Sequence, residues 1–137
     1  MGGDIAFVDS DDWIEPLMYE KLLALALQYE TEITGCATMT DYDDGISKNS
    51  FEGRESALIS GKTAILDILY QTRYAWGAMY NKLYKRELFR NIRFPNVMNL
   101  EDYVVSTKLY NQVKEIYFCN LPMYHYTFRQ GSLSKRE

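Results

Sequence analysis

Residues 4–16 constrain this chain more than any other stretch. A short apolar run, Ile5-Ala6-Phe7-Val8, ends in the acidic turn Asp9-Ser10-Asp11-Asp12, and Pro16 then opens a helical pattern. A run that is polar only at its ends suits a strand buried on both faces of a mostly parallel sheet. Proline is favoured in the first turn of a helix, where its missing N–H costs nothing, and Glu15 suits the positive end of that helix. Met18, Leu22, Leu25 and Tyr29 then share one helical face.

The rest of the chain keeps alternating between the two periods. Residues 31–40, with four threonines, Ile33 and Cys36, read as a second strand. Asp41-Tyr42-Asp43-Asp44-Gly45 is a polar turn whose spacing does not fit an EF-hand calcium loop. Residues 51–59 read as a strand, and Ser60-Gly61 as the cap of a helix through Ala64, Ile65, Ile68 and Leu69. After a break at Trp76-Gly77 come a short strand over 79–84, a helical turn over 86–90 and a turn at Phe94-Pro95-Asn96. Residues 100–113 form a second strong helix, with Val104, Val105, Leu109 and Val113 facing a core. Two strands, 115–119 and 123–128, are joined by Asn120-Leu121-Pro122, and a polar tail closes the chain. The expectation is a single α/β domain over residues 1–137, with a mixed sheet and flanking helices. Because it opens abruptly on a central strand, the chain reads as a fragment.

Composition narrows the classes. Apolar residues make up 47% and charged residues 25%, as in a soluble globular protein. A net charge of -4 gives no basic excess for nucleic acid. Residues 22–27, the longest strongly apolar run, are too few to span a bilayer, and the opening Met1-Gly2-Gly3-Asp4 shows no signal-peptide pattern. Cys36 and Cys119 have no metal-binding spacing and read as buried free thiols of a reducing compartment, which favours the cytoplasm. The 12 tyrosines either stack on sugar rings or build a core and rim with wet tips.

Three groups of residues carry chemistry. Asp9 and Asp11 are two apart, so on an extended segment they project to one side. With Asp12 they would repel one another unless a cation or solvent neutralised them, and oxygen-only ligands favour Mg²⁺ or Mn²⁺ over zinc. Spacing alone leaves open the alternative that Asp12 caps the helix after Pro16. Glu101 and Asp102 head the late helix, where the macrodipole favours acids whether or not they react. His125, the single histidine, sits among alternating aromatics as either a structural residue or a ligand, and Arg129 is either a phosphate fork or a surface charge. Lys82, Lys85, Arg86, Arg90 and Arg93 form a solvated basic face or one that rests on anionic lipid.

In this order, the residues resemble family 2 of the inverting glycosyltransferases, bacterial enzymes of cell-surface polysaccharide synthesis. The matching pieces are Ile5 through Pro16, Trp76 with Asn81-Lys82-Leu83-Tyr84-Lys85-Arg86, Arg93-Phe94-Pro95, Glu101-Asp102, and Tyr124-His125-Tyr126 with Arg129 and Gly131-Ser132-Leu133-Ser134. The resemblance implies a partial GT-A fold, Rossmann-like, lacking the N-terminal nucleotide-binding half. It implies a nucleoside-diphosphate sugar donor, in particular a UDP-sugar, held through Mg²⁺ or Mn²⁺. Asp9 and Asp11 match the DxD motif that contacts nucleotide sugar and metal, with Arg129 and Ser132 on the donor as well, and His125 falls where some relatives place a further metal ligand. Asp102 matches the general base, with Glu101 beside it, and Trp76 and Asp12 fall to the acceptor side. The acceptor is a carbohydrate or a lipid-linked group, the location is the cytoplasm or the inner face of its membrane with peripheral association, and exposed strand edges allow a homodimer. Without the donor half the isolated chain is expected to transfer nothing.

Two other classes fit less of the sequence. A haloacid-dehalogenase-type phosphatase also ends its first strand in an Asp-x-Asp pair, but wants Thr or Val where Trp13 stands. A non-catalytic carbohydrate-binding or interaction domain would use Trp13, Trp76 and the tyrosines as a platform, with the acids as caps.

Overall fold

The computed structural model of the chain describes residues 3–70, 78–93 and 101–128, and of Glu101 the backbone alone. In chain order the described elements are β1 (Asp4–Ile5), β2 (Trp13–Ile14), α1 (Met18–Tyr29), β3 (Ile33–Tyr42), β4 (Ser47–Asn49), β5 (Ala57–Ser60), α2 (Gly61–Tyr70), β6 (Lys82–Lys85), a 3₁₀ turn (Arg86–Phe89), α3 (Glu101–Asn111) and β7 (Glu115–Phe128).

The sheet is mixed. Its spine is the pair β3 and β7, which run parallel, while the other pairings are antiparallel. The outer edge of β3 is taken by β6 along Ile33–Gly35 and by β4 along Met39–Asp41. The outer edge of β7 is taken by β5 along Glu115–Phe118 and by β2 at Tyr124 and His125. The short β1 adds to β6 at the margin.

Alternation along the spine sorts side chains to two cores, as strand geometry requires. Ile33, Ala37, Ile116 and Phe118 face α2 and α3, meeting Ala64, Ile68, Val105, Leu109 and Tyr110. Cys36, Tyr117, Cys119 and Tyr124 face α1, meeting Met18 and Leu22. Each fully buried large side chain contributes on the order of 2 kcal/mol of hydrophobic stabilisation. Two close approaches, of α2 to the end of α3 and of β3 to a side chain of β7, depend on glycine. A Cβ at Gly61 would lie 2.3 Å from the Tyr110 carbonyl oxygen, and one at Gly35 would lie 2.8 Å from the Phe118 ring. The N-terminus of α2 is capped by Ser60, whose Oγ accepts the Thr63 N–H at 3.0 Å. α1 ends at Glu30 in the left-handed region, φ 55°. Among the described residues no helix is long and apolar enough to cross a membrane.

Several local expectations need correction. The opening run is not a buried central strand of a mostly parallel sheet: only Asp4 and Ile5 pair, at the margin, and Val8 is 46% exposed. β3 extends through Asp41 and Tyr42 because β4 folds back on it as a hairpin through the Asp43–Gly45 turn, with Gly45 at φ 92°. The strand expected over 51–59 is mostly turn, and only β5 survives. Asn120-Leu121-Pro122 does not divide two strands. β7 continues through a register shift, its partners moving from Cys36↔Cys119 to Ala37↔Pro122. Proline is tolerated at such an irregularity, and Asn120 is held there by Ser56 and by the Arg54 carbonyl. Both cysteines are buried and free, as expected, and burial pushes the Cys36 thiol up to about 12.

Candidate functional site

The acidic turn leaves β1 and re-enters the sheet at β2, closed by a hydrogen bond from the Asp12 N–H to the Asp9 carbonyl at 3.0 Å. It is fastened to β7 from below. The Tyr124 hydroxyl accepts the Asp9 N–H at 3.1 Å and donates to Asp12 Oδ2 at 2.6 Å. The Thr127 N–H donates to Asp12 Oδ1 at 3.1 Å. Both carboxylate oxygens of Asp12 are therefore engaged with β7. This corrects one expectation: Asp12 does not cap α1, whose cap position is Leu17. Asp9 and Asp11 are exposed, and their carboxylates have no hydrogen-bond or ion-pair partner among the described residues.

Tyr80 lies beside this turn. Its ring stacks on Tyr124 with centroids 4.6 Å apart and planes 10° apart. Burial holds its phenol well above the usual range, and Tyr126, Asp12, Asp9 and Asp102 push it further the same way. The acids of the turn and the acid at the head of α3 thus raise the same phenol. Asp102 is exposed at the first turn of α3.

Close to Tyr80 in the chain sits Lys82, 1% exposed. Its Nζ donates to the carbonyls of Ala78 at 3.0 Å and Tyr80 at 3.4 Å and to Asn81 Oδ1 at 2.9 Å. Asn81 adopts a left-handed conformation, φ 64°, and its Nδ2 donates to the Cys36 carbonyl at 2.6 Å. Burial pulls Lys82 down to about 7, against the opposing pull of Cys36 and Asp102. Lys82 therefore does not belong to a solvated basic face. Lys85 lies 3.9 Å from Asp4, and of the five basic residues Arg86, Arg90 and Arg93 are the exposed ones.

His125 reads from the sequence as either a structural residue or a metal ligand; in the structure its Nδ1 lies 3.0 Å from Asp41 Oδ2 and its Nε2 2.5 Å from Glu15 Oε2, with Trp13 stacked on the ring at 3.6 Å. Both ring nitrogens are engaged, so ligation would require one of these bonds to give way. His125 ties the exit of the acidic turn to β3. The residues that sequence reasoning missed are Tyr124 as the fastening of the turn, Tyr80 as the ring stacked on it, and the Glu15–His125–Asp41 bridge. Tyr124 and Tyr80 carry no local polar signal, since their partners are remote in the chain. Trp76, Arg129 and Ser132 lie outside the described residues, as does the side chain of Glu101.

The donor set of the turn suits a hard divalent cation: two exposed carboxylates, oxygen only, with room for other ligands. Among the described residues no group of three or more His, Cys, Asp or Glu side chains is arranged to hold a metal by itself. Coordination there would have to be completed by water or by ligand oxygens.

No protein-family profile matches the chain. It is 31% identical over 147 residues to glycosyltransferase GlyA of Streptococcus pneumoniae, an alignment that covers 98% of this chain and 20% of GlyA. The chain is similar to one segment of a glycosyltransferase. Glycosyltransferase GlyG of the same organism matches at 25% identity over 143 residues, 99% of this chain and 47% of GlyG. The chain thus spans about a fifth of the first of these relatives and about half of the second. Among solved structures, Staphylococcus aureus TarS 1–349 in complex with UDP-GlcNAc superposes with a TM-score of 0.75 at 18% identity, covering 100% of this chain and 38% of that one. The mixed sheet with helices on both faces is thereby shared with a nucleotide-sugar-bound protein.

Proposed function

We propose that this segment forms the acid-bearing, acceptor-side part of a metal-dependent, inverting glycosyltransferase of family 2 with a GT-A fold, acting in bacterial surface polysaccharide or glycoconjugate synthesis. The observation that carries this reading is the similarity of the chain, over nearly its whole length, to segments of glycosyltransferases, with Asp9 and Asp11 exposed on the acidic turn and Asp102 exposed at the head of α3. The UDP-GlcNAc bound to TarS supports a UDP-linked sugar as donor. A carbohydrate or lipid-linked hydroxyl is the acceptor.

In this reading Asp9 and Asp11 would hold Mg²⁺ or Mn²⁺ together with the donor diphosphate. The cation would offset the charge that builds on the departing diphosphate. Asp102 accepts the proton of the acceptor hydroxyl while the hydroxyl oxygen bonds to the anomeric carbon. The C–O bond to the diphosphate breaks, its electron pair leaves with the diphosphate, and the centre inverts. A carboxylate with a reference pKa near ~4 is a weak base, so the proton moves late, after that bond has largely broken. Transfer takes place at the cytoplasmic face of the membrane, where the exposed Arg86, Arg90 and Arg93 suit anionic lipid.

The test is Asp102→Asn in a full-length protein that contains this segment. Transfer from a UDP-sugar with Mn²⁺ should fall by at least about 100-fold, while donor binding measured by calorimetry stays as in the parent. Transfer at the parent rate would remove Asp102 from the chemistry and with it this mechanism. The 137-residue chain assayed alone should show no turnover.

A further inference from the structure

The three aspartates of the acidic turn are chemically alike, but the fold treats one of them differently. Asp12 has both oxygens bound by β7, one to the Tyr124 hydroxyl at 2.6 Å and one to the Thr127 N–H at 3.1 Å. The same Tyr124 hydroxyl accepts the Asp9 N–H at 3.1 Å. A single phenol oxygen therefore links the first and last residues of the turn. Its position is fixed by the stack of its ring on Tyr80 at 4.6 Å and by its complete burial. It is also fixed by the pairing of Tyr124 with Ile14 on β2. Asp9 and Asp11, the other two acids, have carboxylates without partners among the described residues.

Three carboxylates in four residues repel one another, and an untethered turn would splay to separate them. Fastening it at the Asp9 backbone and the Asp12 side chain resists that, while leaving the two remaining carboxylates open to solvent. We propose that Tyr124 and Asp12 are a positioning pair that presets Asp9 and Asp11 for a divalent cation, and that Asp12 is not itself a ligand. This rests on the reading of Asp9 and Asp11 as the cation-binding acids. Outer partners of this kind typically set metal affinity by about 10- to 100-fold, because they hold the ligands in the geometry the ion needs.

The experiment uses the 137-residue chain with Mn²⁺ as probe. Mn²⁺ affinity is measured by electron paramagnetic resonance, and exchange of the Asp9 and Thr127 amide protons by NMR. Tyr124→Phe keeps the ring and its stack on Tyr80, so the thermal midpoint should move little. Mn²⁺ affinity should nevertheless fall by about 10-fold or more, and the Asp9 amide should exchange faster. Asp12→Asn keeps an oxygen able to accept from Tyr124 and should retain more affinity than Asp12→Ala, which should resemble Tyr124→Phe. Wild-type affinity and unchanged Asp9 protection in Tyr124→Phe would overturn the proposal. So would loss of Mn²⁺ in Asp12→Asn as complete as in Asp12→Ala with the Asp9 amide undisturbed, the signature of a direct ligand. If the wild-type chain itself binds no Mn²⁺, the cation reading of Asp9 and Asp11 fails, and with it the preset ligand pair. The Asp9 amide then decides the fastening alone: faster exchange in Tyr124→Phe retains it, and unchanged exchange ends it.

Discussion

Replacing Lys82 by methionine should flatten the pH dependence of stability just above neutrality. Lys82 is fully enclosed, and burial pulls it from 10.5 to about 7 in the folded chain, with Cys36 and Asp102 opposing the shift. The unfolded chain keeps the ordinary value. Between the two, the unfolded state holds a proton that the folded state has released, so stability rises with pH across that window and is lost as pH falls through the folded value. The slope approaches about 1 kcal/mol per pH unit, so the gain from about pH 7 to about pH 8.5 is on the order of 1 to 2 kcal/mol. The window closes above that, because Cys36, raised from 9 to about 12 chiefly by burial, works in the opposite direction once an unfolded thiol begins to ionise. Urea unfolding followed by tryptophan fluorescence at several pH values would read the effect directly. The wild-type free energy should climb with pH and that of Lys82→Met should not. The variant should also be less stable at the upper pH, since the two N–H groups of the neutral amine no longer serve the oxygens of Ala78 and Asn81, at about 1 kcal/mol each. Parallel curves for the two proteins would refute the reasoning. If the variant unfolds too readily to measure, the chemical shift of the Lys82 Cε in the wild type serves instead, and a titration midpoint near ~10, the unperturbed value, would refute it equally.

Gly61→Ala should lower stability by about 3 kcal/mol in denaturant titration, because its Cβ would meet two backbone oxygens, Tyr110 at 2.3 Å and Val113 at 2.5 Å, that cannot swing aside. Ser60→Ala should cost about 1 kcal/mol by the same measurement. It removes the oxygen that accepts the Thr63 N–H at the start of α2, and Ser60→Asp should recover most of the loss.

The layers of the fold were legible because periodicity is local. The helical stripe of Met18, Leu22 and Leu25 and the Ser60-Gly61 start of α2 need only neighbouring residues, and both stand where the pattern puts them. What periodicity does not hold is which strand lies beside which. The opening run has the composition of a central strand but only β6 as a partner, because β3 and β7 occupy the middle of the sheet. Pro122 looked like a divider because proline removes a ladder donor. Its strand survives because the register shifts by two residues at that point and Ser56 and Arg54 bind Asn120 there. Lys82 read as surface because lysine almost always is. Its burial depends on the left-handed turn at Asn81, which folds three oxygens around one ammonium.

The candidate site shows the same division more sharply. Asp9, Asp11, Asp12 and Asp102 could all be picked from residue type and position, yet nothing in the run Asp9-Ser10-Asp11-Asp12 distinguishes a tethered carboxylate from an open one. The distinction comes from residues 112 to 115 positions away: the Tyr124 hydroxyl and the Thr127 N–H reach Asp12, while only the backbone of Asp9 is caught. Two neighbours on β7 divide the work. Tyr124 fastens the turn itself, and His125, between Glu15 and Asp41, fastens the strand by which the chain leaves it. A strand places successive side chains on opposite faces, so one dipeptide can hold the turn and its exit from two sides at once. Tyr124 and His125, neighbours in the aromatic-histidine run near the end of the chain, thus brace the acidic turn and its exit.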